Sequence, residues 1–325
     1  MRFLLEVEHL AVALLTPGGA RRVVRDVSFV LRPGESLGLV GESGSGKTMT
    51  ALALMGLLPE GARVSGVMRF EGRDLTRASE KAMQALRGDR IAMIFQEPMT
   101  ALNPLHRIAA QIAEPLRLHR GLSKRDAKAK AVELLGRVRL RDPERLAHSY
   151  PFELSGGERQ RAMIAIALSC EPRLIVADEP TTALDVTVQA NILDLLATLG
   201  HEARTAILLI SHDLAVVARR CERVMVMYAG EVMEEGPARD VLGDARHPYT
   251  QALLAARPSL GAPRGRLAAI PGAAPSAEDA GAGCPFAPRC PRAAPVCAEA
   301  PPPLVELEGD RSLRCARVDA EGRPL

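Results

Sequence analysis

The strongest chemical signal in the sequence is the run Gly41-Glu42-Ser43-Gly44-Ser45-Gly46-Lys47-Thr48. It fits the phosphate-loop pattern G-x-x-x-x-G-K-[ST] at every position. Glycines let the backbone turn tightly enough to aim its N–H groups at an anion, and the helix that follows adds its dipole. Lys47 brings a point charge to the β- and γ-phosphates, and the Thr48 hydroxyl is a ligand for Mg²⁺. The expected ligand is a nucleoside triphosphate.

Further candidate groups stand at strand ends. Asp178 and Glu179 follow the apolar run Leu174 to Ala177. There Asp178 is suited to hold Mg²⁺ through water, and Glu179 to orient and polarise the water that attacks the γ-phosphate. Ser211-His212-Asp213 follows Ala206 to Ile210 in the same way and puts His212 within reach of the γ-phosphate or that water. Gln96 follows Ile91 to Phe95. Its side-chain oxygen suits Mg²⁺ or water, and on a loop joining two subdomains it can report the nucleotide's state to the helical part. Ser155-Gly156-Gly157 opens an apolar helix, where two glycines expose N–H groups to an anion. Ser155-x-x-Glu158 also reads as a capping box. The phosphate loop already has its own helix, so this second N-terminus is expected to serve a phosphate bound on another subunit.

These groups need an α/β frame. Glu35 to Val40 reads as the buried strand before the phosphate loop, and Met49 to Leu58 as the helix after it. Residues 3 to 32 alternate apolar and polar about the turn Thr16 to Gly19, which predicts antiparallel strands. Val67 to Gly72 adds another strand and turn, and Ile108 to Leu168 turns helical. The basic run Arg117 to Lys130 within it reads most simply as a solvated helix face, with a membrane headgroup contact as the alternative. The runs at 174–177 and 206–210 suit central parallel strands. Val224 to Tyr228 and Glu231 to Glu235 form a hairpin, and beyond His247 the composition shifts to Pro, Ala and Gly.

The totals narrow the class. A chain of 325 residues has room for about two domains. A net charge of +3 gives no case for a nucleic-acid partner. No run approaches the roughly 18 apolar residues that span a bilayer. Glu6, Glu8 and His9 interrupt the opening stretch and argue against a signal peptide, so a cytosolic setting is expected. Cys170 and Cys221 lie in apolar surroundings and read as packing residues. The other four, Cys284, Cys290, Cys297 and Cys315, are spaced x5, x6 and x17. In a cytosolic protein that favours metal over disulfides. No histidine follows His247, so a site here would be all-thiolate, suited to Zn²⁺ or an iron–sulfur cluster. The lack of paired C-x-x-C knuckles weakens zinc. Reduced or disulfide-bonded cysteines remain the other reading.

In order and spacing, the phosphate loop, Gln96, Ser155-Gly156-Gly157, Asp178-Glu179, Thr182-Ala183-Leu184-Asp185 and His212 resemble an ABC-type ATPase cassette over roughly residues 3 to 245. The resemblance implies a P-loop NTPase (RecA-like) core with an antiparallel β subdomain and a helical insertion at about 99–168. It also implies that two cassettes sandwich two ATPs with Mg²⁺. Lys47, Thr48, Gln96, Asp178, Glu179 and His212 act on one ATP, while Ser155 and Gly157 act on the ATP of the other cassette. Asp185 lies in the loop that crosses the interface, and the helical insertion docks on coupling helices of membrane permeases.

Two positions depart from the family pattern. Glu158 replaces the glutamine commonest after the signature glycines. No aromatic residue lies between Phe3 and Phe29 to stack on adenine, so Leu15, Arg21 or Arg22 is expected to cover the base. The tail at 246–325 is similar to the cysteine-containing, irregular C-terminal extension of ATPases from oligopeptide, dipeptide and nickel importers. His247-Pro-Tyr-Thr250 and Gly283-Cys-Pro-Phe-Ala-Pro-Arg-Cys290 carry that similarity. It implies a peripheral subunit on the cytoplasmic side of the inner membrane, with a second ABC ATPase, two permeases and, indirectly, a solute-binding protein as partners. The solute would be di- or oligopeptides, with nickel or another small solute as the alternative. The similarity also favours a [4Fe–4S] cluster over Zn²⁺. A soluble ABC ATPase of DNA repair or translation is the alternative from another class. Such proteins usually show a long coiled-coil insertion, tandem cassettes or strongly basic surfaces, which this chain lacks.

Overall fold

The computed structural model describes residues 3–181, 184–256, 269–275, 277, 280–319, 322–323 and 325. Thr182 and Ala183 of the quoted motif lie outside the described residues.

Strands β1 (Leu5–Thr16) and β2 (Gly19–Leu31) form a long antiparallel pair. The pairing shifts register between Val7 and Leu10, where His9 takes a left-handed φ of 50°. Such a bulge lets one strand keep both Val7 and Leu10 in the core. The short apolar β3 (Ser36–Val40) runs into the phosphate loop and α1 (Lys47–Met55). Next come β4 (Arg63–Phe70), β5 (Arg73–Asp74), α2 (Glu80–Leu86) and β6 (Ile91–Ile94).

The helical stretch then comprises α3 (Pro98–Ala101), α4 (Ile108–Arg120), α5 (Lys124–Arg137), α6 (Pro143–Ala147) and α7 (Gly156–Leu168). Alternation of strand and helix resumes with β7 (Leu174–Asp178), α8 (Val186–Ala203), β8 (Ala206–Ile210), α9 (Leu214–Arg220) and β9 (Arg223–Tyr228). Beyond these lie β10 (Glu231–Pro237), α10 (Ala238–Gly243), α11 (Pro248–Ala255), α12 (Val296–Glu299), β11 (Val305–Leu307) and β12 (Arg311–Leu313).

The chain folds as two compact units. The first comprises residues 1–31, 36–76 and 211–325, and holds the phosphate loop. Its strands follow the order β5-β4-β1-β2-β10-β9-β3, with β3 parallel to β9 and the β9–β10 hairpin antiparallel. Strand β12 pairs with β10 through Glu234↔Leu313, and β11 with β12, so the C-terminal extension adds a hairpin to this sheet. The sequence gives no periodic signal for that hairpin, because three-residue strands are too short to show alternation.

The second unit comprises residues 32–35 and 77–210. Strands β6, β7 and β8 run parallel in that order, in register at Ile94↔Ala177 and Ala177↔Leu209. All five residues of β7 are buried, as expected of a strand covered on both faces. The helical part packs through Ile108 and Ile112 of α4, Ala131 and Leu135 of α5, and Ala162 and Ala165 of α7, each fully buried. Their three- and four-residue spacing is the helical period of the sequence.

Candidate nucleotide site

In the first unit, β3 ends at Val40 and the loop turns through left-handed glycines at Gly44, φ 79°, and Gly46, φ 103°. A side chain at Gly46 would lie 2.8 Å from the Val23 carbonyl, so both the backbone sign and the space require glycine there. Lys47 is buried and donates from Nζ to the carbonyls of Gly41 (2.8 Å) and Glu42 (2.9 Å) and to Ser45 Oγ (3.3 Å). Among the described residues no side chain caps α1, and its own first turn carries no acid, an arrangement that suits an anion. Ser43, Gly44 and Thr48 are exposed, which leaves the loop's outer face open.

Glu42 is held from three directions. Its carbonyl takes Lys47, and its N–H donates to Tyr249 Oη at 2.9 Å. Its carboxylate accepts both arms of the Arg289 guanidinium, at 2.6 and 3.1 Å. Arg289 also donates to Tyr228 Oη (3.1 Å) and to the carbonyl of Pro271 (2.8 Å). Tyr228, Tyr249 and Phe286 pack as a buried aromatic trio with centroids 4.5–5.3 Å apart. Reading the sequence misses Arg289 here, because it lies 247 residues from Glu42. The one visible hint is an arginine set among the tail cysteines.

His212 follows β8, is exposed, and belongs to this same unit. Its neighbour Asp213 caps α9 by accepting the Ala215 N–H at 2.7 Å. Leu15 is half exposed at the end of β1, where it pairs with Ala20, and Leu14 pairs with Arg21.

The second unit gathers the carboxylates. Asp178 is the buried last residue of β7, and Glu179 turns out of the strand at φ 45°. A left-handed glutamate is uncommon and marks a position the surrounding backbone determines. The Glu179 N–H donates to the Ile210 carbonyl, fixing that turn against β8. Gln96 Nε2 donates to Glu179 Oε2 at 3.1 Å, so the structure brings these two sequence-predicted residues together.

The signature sequence lies in this unit too. Ser155 caps α7, with the box complete. Its Oγ accepts the Glu158 N–H, and Glu158 Oε2 accepts the Ser155 N–H at 2.8 Å and hydroxyl at 2.7 Å. Those hydrogen bonds hold the Glu158 carboxyl below the usual carboxylate range. An added Cβ at Gly156 would lie 3.3 Å from the Leu184 side chain and one at Gly157 3.1 Å from that of Val188, tight contacts that would need those side chains to shift by a few tenths of an ångström. Asp185 caps α8 by accepting the Val188 N–H at 2.9 Å. The signature and the Asp185 loop are thus neighbours within one chain.

Near the helical part lies a groove of about 490 Å³ lined by Leu105, His106, Ala109, Lys128, Val132 and Tyr150 among others. Leu105 at its rim is 81% exposed, which is unusual for a leucine with nothing to cover it.

The four tail cysteines are all free thiols. Backbone N–H groups donate to the sulfur two residues earlier, from Phe286 to Cys284, Arg292 to Cys290 and Arg317 to Cys315, the last at 3.4 Å. This donor set and these amides suit a thiolate-bound metal. Among the described residues, however, no three His, Cys, Asp or Glu side chains stand where they could hold a metal ion. Burial pushes the Cys284 thiol up to about 11 and raises Cys290 and Cys315 as well. It is a bound cation that makes a cluster of thiolates stable. Cys170 and Cys221 are buried packing residues, and burial raises Cys221 to about 12.

Comparison with known proteins adds to this geometry. The ABC transporter family pattern matches residues 24–182, and that of the oligopeptide/dipeptide transporter C-terminal region matches residues 233–297. The oligopeptide transport ATP-binding protein OppD of Salmonella typhimurium is 50% identical over 92% of this chain and 89% of its own length. OppD of Escherichia coli is 50% identical over 96% of this chain and 92% of its own. Among solved structures, the ATP-binding cassette MJ0796 in a dimeric post-hydrolysis state bound to ADP and Pi aligns with TM-score 0.65. It is 27% identical and covers 72% of this chain and 99% of its own.

Proposed function

The chain belongs to the ABC transporter family as an ATP-hydrolysing cassette, and on that premise we propose that it energises an inner-membrane importer of di- and oligopeptides. The observation that carries the peptide reading is the match of both regions at once. Cassette and C-terminal extension align together, over nearly the whole length, with proteins named for oligopeptide transport.

The roles follow from chemistry. The N–H groups of residues 41–48, with Lys47, take the β- and γ-phosphates. Thr48, Gln96 and Asp178 offer a hydroxyl, an amide oxygen and a carboxylate, the hard oxygen donors that Mg²⁺ takes. When bound, that ion neutralises charge on the phosphates. Glu179 polarises the attacking water, and its hydrogen bond to Gln96 supports a path from hydrolysis to the helical part. His212 contacts the γ-phosphate or that water. Ser155, Gly156 and Gly157 serve the ATP of a second ABC ATPase, with Asp185 at the interface. The apolar groove at Leu105 is where a permease segment docks, and the chain works peripherally on the cytoplasmic face. The solute reaches the two permeases through a binding protein.

Uptake tests this reading. Cells carrying Glu179→Gln lose import of labelled di- and oligopeptides, while import of labelled Ni²⁺ is kept. Loss of nickel uptake alone would replace the solute and keep the mechanism. Unchanged uptake of both would remove the importer role.

For the tail, we propose that Cys284, Cys290, Cys297 and Cys315 are the ligands of a [4Fe–4S] cluster, with Zn²⁺ as the alternative. The all-thiolate donor set and the N–H groups aimed at sulfur support it. Iron, acid-labile sulfide and zinc analysis of protein purified without oxygen decides the matter. About four irons per chain is the expected result, and absence of both metals ends the proposal.

A further inference from the structure

The residue next to Cys290 touches the phosphate loop. Arg289 sits in the turn Ala287–Arg289 of the extension, and its side chain is 5% exposed. Its guanidinium makes a two-armed pair with Glu42, the second residue of the loop. Tyr228 and the carbonyls of Pro271 and Ile270 take its remaining donors. A guanidinium with every arm engaged has a defined pose, unlike a mobile surface pair. Tyr249, also of the C-terminal region, takes the Glu42 N–H. Two of the three holds on Glu42 therefore come from beyond β10.

We propose that Arg289 is a positioning residue of the nucleotide site, pairing Glu42 so that the loop presents N–H donors, and no uncompensated carboxylate, to the triphosphate. The proposal rests on ATP binding at residues 41–48. Glu42 lies within the phosphate loop, two residues before Gly44, so an unpaired carboxylate there opposes an incoming polyanion. Pairing also draws the carboxylate toward the aromatic trio, which fixes where the loop's first turn lies. The C-terminal extension is then part of the ATP site as well as an appendage to the sheet.

The test uses the full chain and a fluorescent ATP analogue, mant-ATP, with Mg²⁺. At 50 mM NaCl, Arg289→Met should bind it about tenfold more weakly than wild type. At 500 mM NaCl the loss should shrink to about threefold or less, because screening weakens the repulsion. Adding Glu42→Gln to Arg289→Met should recover most of the lost affinity, since the offending charge is gone. Arg289→Lys keeps the charge without the fork and should lose about threefold or less.

An Arg289 that only holds the tail together predicts a loss that neither salt nor Glu42→Gln repairs, and that result overturns the proposal. Wild-type affinity in Arg289→Met overturns it too. If Arg289→Met gives no folded protein, Tyr249→Phe decides, with about threefold weaker binding expected and wild-type binding overturning. Lys47→Ala separates the two levels. If it binds as wild type does, the loop is not the nucleotide site and both readings fall. If it fails to bind while Arg289→Met is normal, only the clasp falls.

Discussion

Helices α1 and α7 both start beside glycine, in different units, and are finished differently. At α1 the N-cap is left-handed Gly46, no side chain closes the end, and Lys47 is the first helical residue. At α7 the N-cap is Ser155, and Glu158 folds back to complete a box. The first leaves its donors to an anion and adds a cation. The second satisfies its own N3 donor and places a carboxylate among its first residues, leaving the N–H groups of Gly156 and Gly157 for any outside ligand. The difference separates primary binding from completion of a site. An open N-terminus with a lysine captures phosphate by itself, whereas a boxed one is stable unaided and gains only weakly from an anion.

Breaking the open end has the largest effect. Lys47→Ala removes charge-assisted bonds and should weaken mant-ATP binding by about two orders of magnitude. Binding equal to wild type would mean that the loop is not the nucleotide site. Next comes Glu179→Gln, which should cut turnover in the assembled transporter about 10²- to 10³-fold while ATP binding persists. An unchanged rate would remove Glu179 as the group acting on water.

The boxed end should respond through stability. Ser155→Ala should cost about 1 kcal/mol, read as a lower denaturation midpoint, because the Glu158 N–H loses its acceptor. No loss would mean the box is decorative and α7 is as open as α1.

The third helix start, at α11, extends the comparison to pH. Its cap is His247, whose Nδ1 accepts the Tyr249 N–H at 3.0 Å. Burial lowers the His247 pKa to about 3, well below its ordinary 6.5. The folded protein thus keeps the ring neutral at pH values where the unfolded chain takes up a proton. This contribution to stability is complete above about pH 6.5 and is lost as pH falls toward about 3. Between pH 7.5 and 5.5 it should cost about 1.4 kcal/mol. The melting temperature of wild type should therefore fall more over that interval than that of His247→Asn. Equal falls would mean the ring is not held neutral.

Much of the cassette could be read from the chain because its signals are local. The phosphate-loop glycines answer to backbone sign within a stretch of eight residues. The box at Ser155 joins residues three positions apart. The apolar runs that become β7 and β8 announce burial on both faces without reference to what lies beside them. The β11–β12 hairpin was not legible, since strands of three residues carry no period. Nor was the hold on Glu42, since nothing near residue 42 marks an arginine 247 positions away as its partner.

The amino-acid sequence by itself determined that the chain has a phosphate loop, that a carboxylate pair ends one of its apolar strands, and that a serine-capped helix carries the signature glycines. Each depends on backbone geometry and hydrogen bonds within a turn or two. Tertiary structure decided what those groups face. Gln96 meets Glu179 across 83 residues because β6 lies next to β7. Arg289 reaches Glu42 because the tail packs its aromatic trio beside the loop. Contacts of that kind depend on which strands become neighbours, and only the burial of the whole apolar surface selects that order.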